Sequence, residues 1–187
     1  EASKTLFIET DEGKIAIVNF CENEWTCATN NSAGANPMDI IDNINQIKSA
    51  KDEADFVFVI VHGGNEHNHY PSPRMVKQYR FYAENGADAV VGHHTHCVSG
   101  YERHQNVPIF YSLGNFLFPM EKTMKEGWYS GLVVQFYIQK DHEINFELIP
   151  VIQSKSNYSL SIAEGVQKEN VLNTISDVNK AIKNPVS

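Results

Sequence analysis

One stretch constrains this chain more than any other: Asp88–Ala–Val–Val–Gly–His–His–Thr–His96. Ala89–Val91 reads as a short buried strand that runs into Gly92 and then presents three histidines. A second segment repeats the design, since Phe56–Val61 is a continuous apolar run ending in His62–Gly–Gly–Asn–Glu66. Short apolar runs of this kind suit central strands of a sheet covered on both faces. In open α/β sheets ligands sit outside the carboxyl ends of the strands. Six of the eight histidines fall between His62 and His96, so two strand ends share most of the imidazole in the chain. That concentration points to a metal site.

The remaining segments fit a layered α/β domain. Lys14–Phe20 is β-branched and apolar and follows the turn residues Asp11–Glu12–Gly13, as a strand would. Asn36–Pro37 predicts a helix start, Asn as cap and Pro in the first turn, with Ile40, Ile44 and Ile47 (Ile41 alongside) as its apolar stripe. Pro71 and Pro73 open a second helix carrying Met75, Tyr79 and Tyr82 on one face and ending at Asn85–Gly86. Pro108–Ser112 reads as a further strand. Ser130–Ile138 and Glu143–Ile152 form a hairpin around Lys140–Asp141, and Val171, Ile175, Val178 and Ile182 space as the buried face of a final helix. With 187 residues the chain is read as one domain, residues 1–187.

Charge narrows the function. A net charge of −8 argues against a general nucleic-acid binder, which would carry a basic patch. An anionic substrate remains compatible, because bound metal ions supply local positive charge. No apolar run reaches the length of a membrane span. Cys21, Cys27 and Cys97 match no zinc spacing; the first two either pair or stay as thiols.

Neutral imidazole is the commonest biological metal ligand, and His62, His94 and His96 are the candidate ligands. His94 and His96 are two residues apart in a loop, where they can chelate one ion or bridge two, and His62 comes from a different strand end. His93 is read as a group that orients a ligand, and Glu66 as either a general acid/base or a solvated glutamate. His67, His69, His104 and His142 are read as ordinary surface or core histidines. Asn115, in Ser–Leu–Gly–Asn–Phe, either hydrogen-bonds a substrate or serves a tight turn. Arg74 and Arg103 follow the histidine-bearing segments and are placed to meet an anion, and Trp25 either lines a pocket or caps the core edge.

Taken in order, His62–Gly–Gly–Asn–Glu66, Gly86–Ala–Asp–Ala–Val–Val–Gly–His–His–Thr–His96 and Ile109–Phe–Tyr–Ser–Leu–Gly–Asn–Phe–Leu–Phe118 resemble the signatures of the CapA, or poly-γ-glutamate capsule synthesis, family. The first motif departs from its common His–Trp–Gly form at Gly63. Kinship of that family to calcineurin-like metallophosphoesterases implies a layered α/β sandwich with a dinuclear centre. On this resemblance His62 matches the lone histidine ligand and His94 and His96 the His–x–His pair, for manganese, iron or zinc. It implies a phosphoester or anionic-polymer substrate and an extracytoplasmic or membrane-associated parent in bacteria. The family's amino-terminal Asp, His and Asn ligand motifs have no counterpart before Lys14, so the chain resembles the C-terminal half of such a protein. The expectation is incomplete, single-ion binding without robust hydrolysis in this chain. A half-sheet with an open edge also predicts a homo-oligomer. Two functions compete: a metal-dependent hydrolase or transferase, and a non-enzymatic assembly or export component with a vestigial or structural metal site.

Overall fold

The computed structural model describes residues 1–22, 27–118, 124–139, 143–157 and 159–183. Trp25, His142 and the Lys140–Asp141 turn lie outside the described residues. Elements follow as β1 (Leu6–Thr10), β2 (Gly13–Cys21), α1 (Ile40–Glu53), β3 (Phe56–His62), α2 (Pro73–Glu84), β4 (Ala89–His93), β5 (Tyr101–His104) and β6 (Val107–Phe110). A 3-10 turn, Glu126–Tyr129, then leads into β7 (Ser130–Ile138), β8 (Ile144–Gln153), β9 (Leu160–Ile162) and α3 (Gly165–Lys183). This is an α/β fold. A six-stranded sheet runs β1-β2-β3-β4-β6-β5, and β7-β8-β9 form a second sheet. Strands β2, β3, β4 and β6 are parallel, and β1 and β5 are antiparallel edges.

The apolar run in β3 has its expected cause. Val57, Val59 and Val61 face the core formed with Ile44 and Ile47 of α1 and Met75, Tyr79 and Tyr82 of α2. Phe56 and Phe58 face the opposite way, against Ile144 and the partly buried Phe136 and Ile138 of the second sheet. A strand buried on both faces has no position for a polar alternation. Helices thus cover one face of the large sheet and the β7–β8 hairpin covers the other. Helix α3 ties the layers together, with Val178 and Ile182 in the first cluster and Val171 and Ile175 packed with Val98 and Leu132.

Several local expectations need correction. Helix α1 begins at Ile40, not beside Asn36–Pro37: Asp39 is its cap, and one carboxylate oxygen accepts from the N–H groups of Ile41 and Asp42 at 2.9 and 3.2 Å. Residues 36–38 are instead drawn alongside the end of β2, where Cys21 N–H donates to the Asn36 carbonyl and Met38 N–H to the Cys21 carbonyl, each at 2.8 Å. Ile41 is consequently 70% exposed and only Ile44 and Ile47 of the four isoleucines are buried. The second helix starts at Pro73 with Ser72 as cap, so Pro71 precedes it. Edge strands β1 and β5 are short and mix apolar with polar residues, so neither carries a clear strand pattern. The β5–β6 turn, Gln105–Asn106, has positive φ at both positions (50° and 70°), the primed geometry of two-residue hairpins. All three cysteines are free thiols. Among the described residues no helix is long and apolar enough to cross a membrane.

Candidate metal and anion site at the strand ends

Parallel pairing places the carboxyl ends of β2, β3 and β4 side by side, with Cys21 opposite His62 and His62 opposite His93. The ladder continues into the loops: Glu22 N–H donates to the His62 carbonyl, Gly63 N–H to that of His93, and His67 N–H to that of Thr95. Two loops far apart in sequence are therefore held in register, and His62, His67, His94 and His96 come together. Nε2 of His62 and Nδ1 of His94 are 2.9 Å apart. The ring of His96 lies 6.1 Å from that of His94 and 6.3 Å from that of His67, centre to centre.

The backbone here is unusual. His94 and His96 have φ of 95° and 57°, and His67 of 60°. Non-glycine residues adopt this region at a cost of order 1–3 kcal/mol each, which persists only where the surroundings impose it. Thr95 supplies part of that constraint: it is buried, and its hydroxyl oxygen is 2.9 Å from Ser112 Oγ and 3.1 Å from the Cys97 carbonyl. Gly92 supplies another, because a Cβ there would sit 2.3 Å from the Tyr111 carbonyl oxygen.

Each candidate residue has a definite place. His93 is half-buried, and burial followed by the proximity of His62 lowers its pKa, favouring the neutral ring. Glu66 is an exposed loop carboxylate, 3.9 Å from the His67 ring. Arg74, at the start of α2, forms an ion pair with Glu22. Asn115 is buried beneath His96, its Oδ1 2.8 Å from Nδ1 of His96 and its Nδ2 donating to the Trp128 carbonyl at 2.9 Å. Arg103 is spent on the Asn106 and Ile144 carbonyls, each at 2.8 Å. His69 bonds the Val98 carbonyl through Nδ1 at 2.6 Å.

Four residues at the site had no role that could be read from the sequence. Glu22 follows β2; burial raises its pKa, but the Gly64 N–H and the Arg74 guanidinium outweigh that and hold it below the ordinary value, with a smaller pull from His94. Trp128 stacks on His96 with ring centres 4.6 Å apart and planes at 25°, and Phe118 lies 5.1 Å from the same imidazole. Gln153, on β8, bonds both the Phe118 N–H and the Trp128 carbonyl. Only Phe118 falls within a recognisable motif.

How far this donor set fits an ion is decided by the nitrogen spacing. Two imidazole nitrogens at right angles around one ion, each roughly 2.1 Å from it, stand about 3 Å apart. The His62–His94 pair is joined by a hydrogen bond in the metal-free chain, and its 2.9 Å separation is also the spacing that two ligands of one ion require. Among the described residues no group of three or more His, Cys, Asp or Glu side chains is arranged to hold an ion. The fit is thus to two ligands of a divalent cation, with the rest of the shell left to water, substrate or other protein groups.

Comparison with known proteins agrees with these motifs. The family described as bacterial capsule synthesis protein PGA_cap matches residues 1–120. The chain is 36% identical to the PGA biosynthesis protein CapA of Bacillus subtilis over 124 residues, 66% of this chain and 32% of that protein. It is 33% identical to the capsule biosynthesis protein CapA of Bacillus anthracis over 112 residues, 58% of this chain and 26% of that one. An uncharacterized protein of Sinorhizobium fredii is 36% identical over 91 residues, 48% of this chain and 20% of its own length. The aligned region is thus a third or less of each of these relatives.

Proposed function

The chain belongs to the bacterial capsule synthesis protein family, and from that premise we propose that it is part of a CapA-like protein of poly-γ-glutamate capsule biosynthesis. In this reading the parent is a metal-dependent hydrolase or transferase of the calcineurin-like phosphoesterase type. Its substrate is a phosphoester or an amide in an anionic polymer, and it works as a homo-oligomer outside the cytoplasm or at a membrane. The observation that carries the reading is the 2.9 Å approach of His62 and His94 from adjacent parallel strand ends. Layered sheets with a buried parallel centre support the fold kinship, although they are shared by many folds.

Within this site His62 and His94 would hold a manganese, iron or zinc ion, and His96 would supply a nitrogen beside them. A divalent ion, when bound, polarises a phosphoryl or carbonyl oxygen. The protein's own part is to hold the imidazoles in orientation. His93, neutral by burial, adds no positive charge next to the ligands. Arg74 balances Glu22, so that carboxylate does not repel an incoming anion. Trp128 and Phe118 set aromatic surface against one side of His96.

A second reading, a non-enzymatic assembly or export component with a vestigial site, is favoured by the absence of a three-ligand group among the described residues. Metal titration of the purified chain decides between occupancy and vestige. The first reading expects one ion per chain, lost in a His94→Ala/His96→Ala double variant. It also expects metal-dependent cleavage of an aryl phosphodiester by the full-length parent. Retained metal in the double variant, or a parent with bound metal and no turnover of phosphodiester or polyglutamate, removes it.

A further inference from the structure

Asn115 and Gln153 meet at a single acceptor. The Trp128 carbonyl receives Nδ2 of Asn115 and Nε2 of Gln153, each at 2.9 Å. A carbonyl oxygen only accepts, so both amides must turn their NH₂ groups toward it, and the orientation of each amide follows. Gln153 then presents Oε1 to the Phe118 N–H at 2.7 Å, and Asn115 presents Oδ1 to His96 Nδ1 at 2.8 Å. An amide oxygen also only accepts, so Nδ1 of His96 carries the hydrogen and the lone pair lies on Nε2. The groups are dry: Gln153 is 2% exposed, Trp128 5% and Asn115 6%. Both lone pairs of the Trp128 carbonyl are engaged, and the Trp128 indole N–H closes the arrangement by donating to the Phe118 carbonyl at 2.9 Å.

We propose that Gln153 is a positioning residue for His96. From β8, beyond the 1–120 region shared with the capsule family, it locks the Trp128 carbonyl and through it the Asn115 amide. That lock keeps His96 as the Nδ1–H tautomer with Nε2 as its electron-pair donor. The second sheet is then a working part of the histidine site as well as a cover for the first. The inference deepens the metal reading and rests on it only for the use made of Nε2; the tautomer is a property of the metal-free chain.

Long-range nitrogen–proton correlation spectra of the metal-free protein test it, at about pH 8 where ordinary imidazoles are neutral. The wild type is expected to show His96 with hydrogen on Nδ1. Gln153→Met keeps length and apolar bulk but removes the donor to Trp128, and it is expected to give a mixture of His96 tautomers. His104, bonded to Glu84 through Nε2 at 2.7 Å on another part of the molecule, serves as an unmoved control. Manganese affinity of the variant should fall by about 10- to 100-fold, as when a ligand loses its orienting partner. A merely structural glutamine would change stability and leave the tautomer alone, so a folded variant with unaltered His96 overturns the proposal. Hydrogen on Nε2 in the wild type overturns it too, whether or not the variant folds. A wild type that binds no metal, with the tautomer shifting as expected, sinks the metal reading and leaves this one standing.

Discussion

Replacing Gly92 by alanine tests whether the glycine before the histidines is there for a steric reason. Its Cβ would lie 2.3 Å from the Tyr111 carbonyl oxygen, 2.9 Å from the Tyr111 carbonyl carbon and 3.1 Å from the Phe110 carbonyl oxygen. Ordinary contact needs about 1 Å more than the closest of these, and all three obstacles are backbone atoms, which no rotamer change can move. Relief requires β4 to separate from the chain leaving β6 by about 1 Å, breaking the bond from Leu113 N–H to the Gly92 carbonyl, 3.3 Å long already. Overpacking of this kind costs about 3 kcal/mol, at the upper end of its usual range because nothing soft can yield. For a chain of this size that is a fall in melting temperature of roughly 6–12 °C. Because His94 and His96 leave the same strand, the shift carries them relative to His62. A displacement of this kind takes the ligands out of their held orientation and is expected to lower metal affinity by roughly 10- to 100-fold. Urea unfolding and isothermal titration with manganese measure the two effects. A variant within about 0.5 kcal/mol of the wild type, with unchanged affinity, would refute the close-approach argument.

Three further outcomes are expected. The Glu102 carboxylate, disfavoured by burial, is held below the ordinary value of 4.5 by Arg80 and the Tyr111 hydroxyl; a depressed folded pKa means its stabilisation is full above about pH 5 and is lost as pH falls through the folded value. Glu102→Gln should therefore cost about 2 kcal/mol at neutral pH, reduced from a fully buried pair because Arg80 is one-third exposed, and the deficit should shrink on acidification; a pH-independent deficit in urea titrations would contradict this. Tyr82→Phe removes the hydroxyl that donates to Asn43 Oδ1 at 3.0 Å, and because Asn43 is buried a loss of about 1–2 kcal/mol is expected by chemical denaturation, whereas a neutral result would mean water replaces the contact. Ile175→Ala on α3, opening space beside Val98 and Leu132, should cost about 2–4 kcal/mol by the same measurement, and a cost below 1 kcal/mol would show that α3 is not bound to the layers as described.

Local patterns were reliable where one residue type has one physical cause. The unbroken apolar character of Phe56–Val61 reported burial on both faces, and Val171, Ile175, Val178 and Ile182 reported one buried helix face. They failed where a tertiary contact outbid a local preference. Asn36 followed by Pro37 is a good helix start in isolation, but the backbone there bonds to the end of β2, and the Asn36 side chain reaches the Asn19 carbonyl at 2.9 Å instead of capping. Ile40 and Ile41 match the stripe of α1 in spacing, yet at the helix start they stay exposed while Ile44 and Ile47 are buried against the sheet.

By itself the sequence determined that His62, His94 and His96 stand at strand ends, because apolar runs, glycine and histidine follow one another along a few consecutive residues. It also determined family membership, which lives in the same contiguous motifs. Only the tertiary structure decided which groups meet those histidines. Asn115 reaches His96 across 19 positions, Trp128 reaches Asn115 across 13, and Gln153 reaches Trp128 across 25. Pairings at such separations leave no period or spacing in the chain. A glutamine on a strand reads as a surface residue until the loop at Phe118 and the turn at Trp128 fold onto it, and then its unpaired amide would be so costly that its hydrogen bonds dictate the arrangement around it.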